Sequence, residues 1–119
     1  MKSHKDLIVY QEALNYVELI YKVTSVFPES EKFGLTNQLR RASVSVPSNI
    51  AEGAGRQSQK EFIHFLHIAL GSVSEIETQI EISKRLGYIS EITELQEKNI
   101  YIRRMLLKLI NSIKIKLNE

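Results

Sequence analysis

Pro47 sits in the middle of a run that otherwise reads as a helix, and this conflict constrains the chain more than any other feature. Leu39, Ala42, Val46 and Ile50 recur at spacings of three and four, which places them on one helical face. A proline inside such a run lacks a backbone donor and costs about 3 kcal/mol or more in an ordinary helix interior. Small residues surround it: Ala42, Ser43, Ser45, Ser48, Ala51, Gly53 and Ala54 leave room for neighbouring backbones to come close. Arg40, Arg41, Asn49, Glu52 and Arg56 bring charge and amide groups into the same stretch. Such a mixture persists where a specific packed geometry requires it. Asn49, two residues past Pro47, is expected to bond the carbonyl that the proline leaves without a donor. Glu52 is expected to form an ion pair or to bond a neighbouring helix end, a catalytic carboxylate being the alternative. Pro47, Asn49, Glu52 and Gly53 are therefore read as a structural motif.

The rest of the chain agrees with an all-α fold. Its two prolines and five glycines fall mostly between periodic segments, and no stretch sustains the period-two alternation of a strand. The first helix is expected from about Lys5 to Val26, opened by a Ser3–Asp6 capping box and striped by Leu7, Tyr10, Leu14, Val17 and Tyr21. Phe27-Pro28 ends it, because the residue before proline resists helical angles. The second helix covers about Thr36 to Gly53, with Gly53 and Gly55 as its terminators. Ser58 and Glu61 form a second capping box before the stripe Phe62, Leu66, Ala69, Val73, Ile76 and Ile80. Gly87 closes that helix. Ser90 is expected to cap the fourth, along which Ile92, Leu95, Ile102, Leu106, Leu109, Ile113 and Leu117 align. Short connections imply antiparallel neighbours, hence an antiparallel up-down four-helix bundle in one domain over residues 1–119.

Apolar residues also lie off these stripes. Ile8, Leu19, Val23 and Val26 share a second side of the first helix; Ile68, Ile82 and Leu86 do so on the third. A monomeric bundle needs one broad apolar face per helix, so the excess points to self-association through Ile8, Leu19, Val23 and Val26. Scattered surface apolar residues are the plainer alternative.

Composition excludes several functions. There is no cysteine, which removes disulfides and thiolate metal sites. No apolar run approaches the ~20 residues that span a bilayer, and the start leads straight into an amphipathic pattern rather than a signal peptide. A cytoplasmic protein without a membrane partner is expected. Glu61 and His64 have the Glu-x-x-His spacing of di-iron bundles, but such sites need a second copy of the motif and two further glutamates. Neither His4 nor His67 supplies it. His64 and His67 lack an evident third ligand. No serine sits in a Gly-x-Ser-x-Gly elbow, and Gly53 to Arg56 lacks the strand and the Gly-Lys-Ser/Thr ending of a phosphate loop. The reading is a non-enzyme with no cofactor and no metal.

Charge gives the functional lead. Net charge is only +2, yet Arg103, Arg104, Lys108, Lys114 and Lys116 lie in a stretch with no acid. On a helix Arg103, Arg104, Lys108 and Lys114 oppose Leu106, Leu109 and Ile113. Such a face neutralises backbone phosphates; the alternative is a solvated face whose cations suit a helix C-terminus. Arg40, Arg41, Arg56 and Lys60 are further candidates. No aromatic platform accompanies the patch, so base stacking is not expected.

The stretch Phe33-Gly34-Leu35, Gln38-Leu39-Arg40-Arg41-Ala42 and Ser45-Val46-Pro47-Ser48-Asn49-Ile50-Ala51-Glu52-Gly53 resembles the small four-helix bundle proteins encoded in intervening sequences of bacterial 23S rRNA genes. Glu61-Phe62, Phe65-Leu66, Ala69-Leu70-Gly71-Ser72 and Leu86-Gly87-Tyr88 continue the likeness, which runs from about Asp6 to Tyr88. The resemblance implies a four-helix bundle assembled as a ring-like homopentamer. It also implies a relation to the accessory variability determinant proteins of diversity-generating retroelements, positively charged barrels that bind nucleic acid and a reverse transcriptase. The expected function is an oligomer binding structured RNA or other nucleic acid through its basic surface. The alternative is a protein–protein scaffold that docks a polymerase or reverse transcriptase with Leu107 and Ile115 beside the cations.

Overall fold

A computed structural model describes residues 3–118; Met1, Lys2 and Glu119, which the one-domain reading included, lie outside the described residues. Four helices account for most of it: α1 (Ile8–Thr24), α2 (Leu35–Ala54), α3 (Gln59–Arg85) and α4 (Thr93–Leu117). Each packs on its neighbours in sequence and α4 returns to α1, while among the described residues no Cα atoms of the diagonal pairs α1/α3 and α2/α4 come within 8 Å of each other. Thr24 at the end of α1 meets Arg40 near the start of α2. Gly53 at the end of α2 lies against Phe62 and Phe65 at the start of α3. Tyr16, Val73 and Asn99 meet at mid-bundle. Consecutive helices thus run antiparallel, and the 50 × 22 × 19 Å envelope accords with helices up to about 40 Å long.

The stripe of α3 packs as expected, with all six residues buried. On α4, Ile92, Leu95, Ile102, Leu106 and Ile113 are buried, but Ile110 and Asn99 join them, Leu109 is half-buried and Leu117 is exposed. Full burial of a side chain such as Leu66, Ile76, Ile102 or Leu106 contributes about 1.5–3 kcal/mol.

α1 departs from expectation. Its buried line is Val9, Ala13, Tyr16, Ile20 and Thr24; the expected stripe of Leu7, Tyr10, Leu14, Val17 and Tyr21 is turned to the flank beside α2. Polar pairing explains the choice. The Thr24 hydroxyl donates to the Ile20 carbonyl (2.7 Å) and accepts from Arg40 Nε (2.9 Å). The Asn99 amide donates to Tyr16 Oη (2.9 Å) and to the Val73 carbonyl (3.0 Å). Tyr16 and Thr24 are buried because partners await them, which periodicity does not reveal. The helix also starts later than Lys5, since the Ser3–Asp6 capping box closes a separate 3-10 turn at His4–Asp6.

The Pro47 motif is corrected in two places. Pro47 is buried inside an unbroken α2, but Asn49 Nδ2 donates to the carbonyl and hydroxyl of Ser45 (2.8 and 2.9 Å), not to the carbonyl of Ser43 that the proline leaves without its usual donor. Ser45 in turn shares a 2.8 Å bond with Ser72, so this chain of bonds ties α2 to α3. Gly53 does not terminate α2. It is buried within the helix, where a Cβ would meet Phe65 Cβ at 2.8 Å and Phe62 Cδ1 at 2.9 Å, so its role is close approach. Gly55 is right-handed at φ −81°, not a left-handed cap.

Gly87 does close α3 in the left-handed region, at φ 80°. The N–H groups of Tyr88 and Gly87 bond the carbonyls of Ser83 and Lys84, the pairing of a Schellman motif. Ser90 is not the cap of α4: Glu91 Oε1 accepts from Thr93 N–H at 2.8 Å. The Thr93 side chain first, and this backbone bond second, hold the Glu91 carboxyl below its ordinary value. Ser58 Oγ accepts from Glu61 N–H, as the second capping box requires of it.

Candidate nucleic-acid interface

Which cations are available follows from what each already touches. Arg40 is committed: its Nε bonds Thr24 and its guanidinium lies 4.5 Å over the Tyr21 ring. Arg56 bridges Glu52 (2.7 Å) and Glu61 (4.0 Å) and stacks over Phe65. Glu52 is therefore an exposed partner of the turn that follows its helix, and Arg56 bridges on to Glu61 at the start of α3. Arg103 is half-buried against α3, donating to Ser74 Oγ (3.1 Å) and lying 3.7 Å from Glu77. These three arginines hold helices together.

Arg41, Lys60, Arg104, Lys108, Lys114 and Lys116 are exposed, and no ion pair among the described residues engages them. Arg41 lies on the outer side of α2, across the bundle from α4. Lys60 lies in the first turn of α3. The remaining four run from the middle of α4 to its end. Arg104 and Lys108 are one turn apart, and Lys114 and Lys116 follow toward the helix end. The acidic residues of α4 (Glu94 and Glu97) lie in its first half, so the helix is electrically lopsided. At the end of the bundle Lys116 and Arg56 line one cleft with Gln57 and Leu7.

The structure also shows an aromatic at the patch, contrary to expectation. Tyr101 is 48% exposed and stands three and seven residues before Arg104 and Lys108, on the same outer face. The i, i+3, i+7 spacing was in the sequence; Tyr101 falls just before the run of cations and is missed when only that run is inspected.

The α1 set is divided. Leu19 and Val23 are half-buried against the protein's own core, whereas Ile8 (66%) and Val26 (79%) remain open. His64 and His67 are exposed, and among the described residues no group of three or more His, Cys, Asp or Glu side chains is arranged to hold a metal. No helix is long and apolar enough to cross a membrane.

Fold and surface together define an all-helical four-helix bundle with a basic outer face on its last helix. The chain belongs to the 23S rRNA-intervening sequence protein family, which it matches over residues 5–108. That match takes in Arg104 and Lys108, further along α4 than the likeness ending near Tyr88, and stops short of Lys114 and Lys116. Among solved structures, the chain is similar to a protein of unknown function from the S23 ribosomal protein family of Bacteroides thetaiotaomicron. The TM-score is 0.77 at 28% identity, covering 87% of this chain and 98% of that one. No curated protein matches the chain.

Proposed function

We propose that this protein is a non-enzymatic, oligomeric bundle that binds RNA by its phosphates through the outer face of α4. The observation that carries this reading is the set Arg104, Lys108, Lys114 and Lys116, exposed with no carboxylate partner among the described residues. Surface cations left unpaired along the second half of one helix attract a polyanion at little structural cost, and each phosphate neutralised releases counterions. The family's link to the 23S rRNA gene makes structured RNA the first ligand to test. Arg41 and Lys60 are secondary contacts; Arg40, Arg56 and Arg103 serve the fold. Repeating the patch around an oligomer strengthens binding through multivalency. For self-association the exposed line Ile68, Ile82 and Leu86 along α3 is better placed than the α1 set, half of which the fold itself covers. A homopentamer is the assembly the family resemblance suggests.

The test is the double variant Arg104→Glu/Lys108→Glu. Both side chains are exposed, so the melting temperature should stay within about 5 °C of the parent's, as surface substitutions shift stability by about 0.5 kcal/mol or less each. RNA affinity should fall at least tenfold. Unchanged affinity would remove this face from the account. The second reading is a scaffold that docks a protein such as a polymerase. It is favoured by Leu107 and Ile115, 45% and 62% exposed among the cations, and it predicts partner binding that tolerates salt.

A further inference from the structure

Between the start of α1 and the second half of α4 the bundle leaves an open groove of about 550 Å³, within the range that holds small organic ligands. Leu7, Ile8, Met105 and Leu109 make its apolar walls, Tyr101 stands at one side and Lys108 at the rim. The bottom is thus apolar and the α4 lip cationic. Arg104, one turn from Lys108, extends the positive lip outward. Asp6, at the N-terminal lip, accepts from Ser3 N–H within the capping box.

The geometry points to a seat for one unpaired nucleobase, stacked on Tyr101 against the apolar walls with its phosphate on Lys108 and Arg104. This rests on the RNA-binding reading above and narrows it from nucleic acid in general to an unpaired strand or loop. A duplex offers phosphates to the cations but no free base face, because its bases are stacked in the helix. An unpaired base has such a face, and aromatic side chains receive it without demanding a particular sequence. A hydrophobic groove beside lysine and arginine matches that amphipathic ligand: flat and apolar at the base, anionic at the phosphate.

The test compares a 12-nucleotide RNA of mixed sequence without self-pairing with the same strand annealed to its complement, both at low salt. Tyr101→Ala should weaken single-strand binding about 5- to 150-fold and leave duplex binding unchanged; Tyr101→Phe, which keeps the ring, should bind like the parent. Tyr101→Trp supplies an independent reading. The chain has no tryptophan, so this indole is its sole reporter, and the single strand should quench its emission while the duplex does not. Tyr101→Ala binding the single strand as tightly as the parent, or losing both ligands equally, overturns the base seat and leaves the phosphate reading intact. A parent protein that binds neither ligand overturns both. Adenosine monophosphate competing at concentrations similar to those of the strand would make the groove a free-nucleotide site, which also overturns the proposal.

Discussion

Glu31 is a residue whose hydrogen bonds tie the fold's stability to pH. Its carboxylate accepts from Leu35 N–H (3.1 Å) and from Tyr88 Oη (2.8 Å), linking the turn before α2 to the α3–α4 connection. The Leu35 bond first, and the Tyr88 bond second, hold its carboxyl below the ordinary value of 4.5. A proton therefore binds the unfolded chain more readily than the folded one. The stability Glu31 adds is present above that ordinary value and is lost as pH falls through the lowered folded value. Glu31→Ala should lower the melting temperature at neutral pH, and the gap to the parent should narrow with acid; a gap independent of pH would contradict this. Asn99 is the matching case in the core. Its amide serves Tyr16 and Val73 while its Oδ1 has no partner among the described residues, and burial pushes the Tyr16 phenol up to about 12. Asn99→Ala should cost about 1–3 kcal/mol in denaturant unfolding, because the Tyr16 hydroxyl loses its closest partner. Tyr16→Phe combined with Asn99→Leu should recover much of that loss, since removing both partners spares the unpaired group.

At the scale of the element, two glycines within helices separate packing from propensity. Gly53 has no room for a Cβ, with Phe65, Phe62 and the Phe62 carbonyl within 3.2 Å of where it would lie. Gly71, exposed on α3, has open space there. Gly71→Ala should stabilise the chain by about 0.5–1 kcal/mol, the ordinary helix-interior difference. Gly53→Ala gains the same but must displace two phenylalanines and a carbonyl, and overpacking costs about 1–3 kcal/mol, so its net effect should be a loss. Chemical denaturation of both variants checks the pair. Helix number, order and the whole core line of α3 were legible in the sequence because a 3.6-residue repeat and strong punctuation agree there. α1 was not, because apolar residues cover more than half its circumference and the choice among three faces falls to Thr24 and Tyr16, polar residues with distant partners. Capping was misread at Ser90 and Gly53 for the same kind of reason: Glu91 reached the helix start first, and Gly53 answers to phenylalanines across the α2–α3 turn.

For the whole molecule the decisive property is the division of its cations. Of nine candidate residues, Arg40, Arg56 and Arg103 are spent on the fold; the i, i+4 spacing of Glu52 and Arg56 is visible in the sequence, but the partners of Arg40 and Arg103 lie on other elements, where no linear spacing reveals them. The exposed remainder on α4 was legible as a run without acids, and its juxtaposition with Tyr101 needed the helix face to be drawn one turn further back. The central claim, phosphate binding by that remainder, is tested most directly by the affinity of the parent protein for single-stranded RNA over a salt series, with mass determined in the same buffers. Each phosphate contacted on a single strand contributes about −0.7 to the slope of log affinity against log salt. Engagement of Arg104, Lys108, Lys114 and Lys116 predicts a slope of about −3 per chain, steeper if several chains share one strand. A flat slope, or no binding at low salt by a folded oligomer, would contradict the account and leave the basic face of α4 as solvated surface.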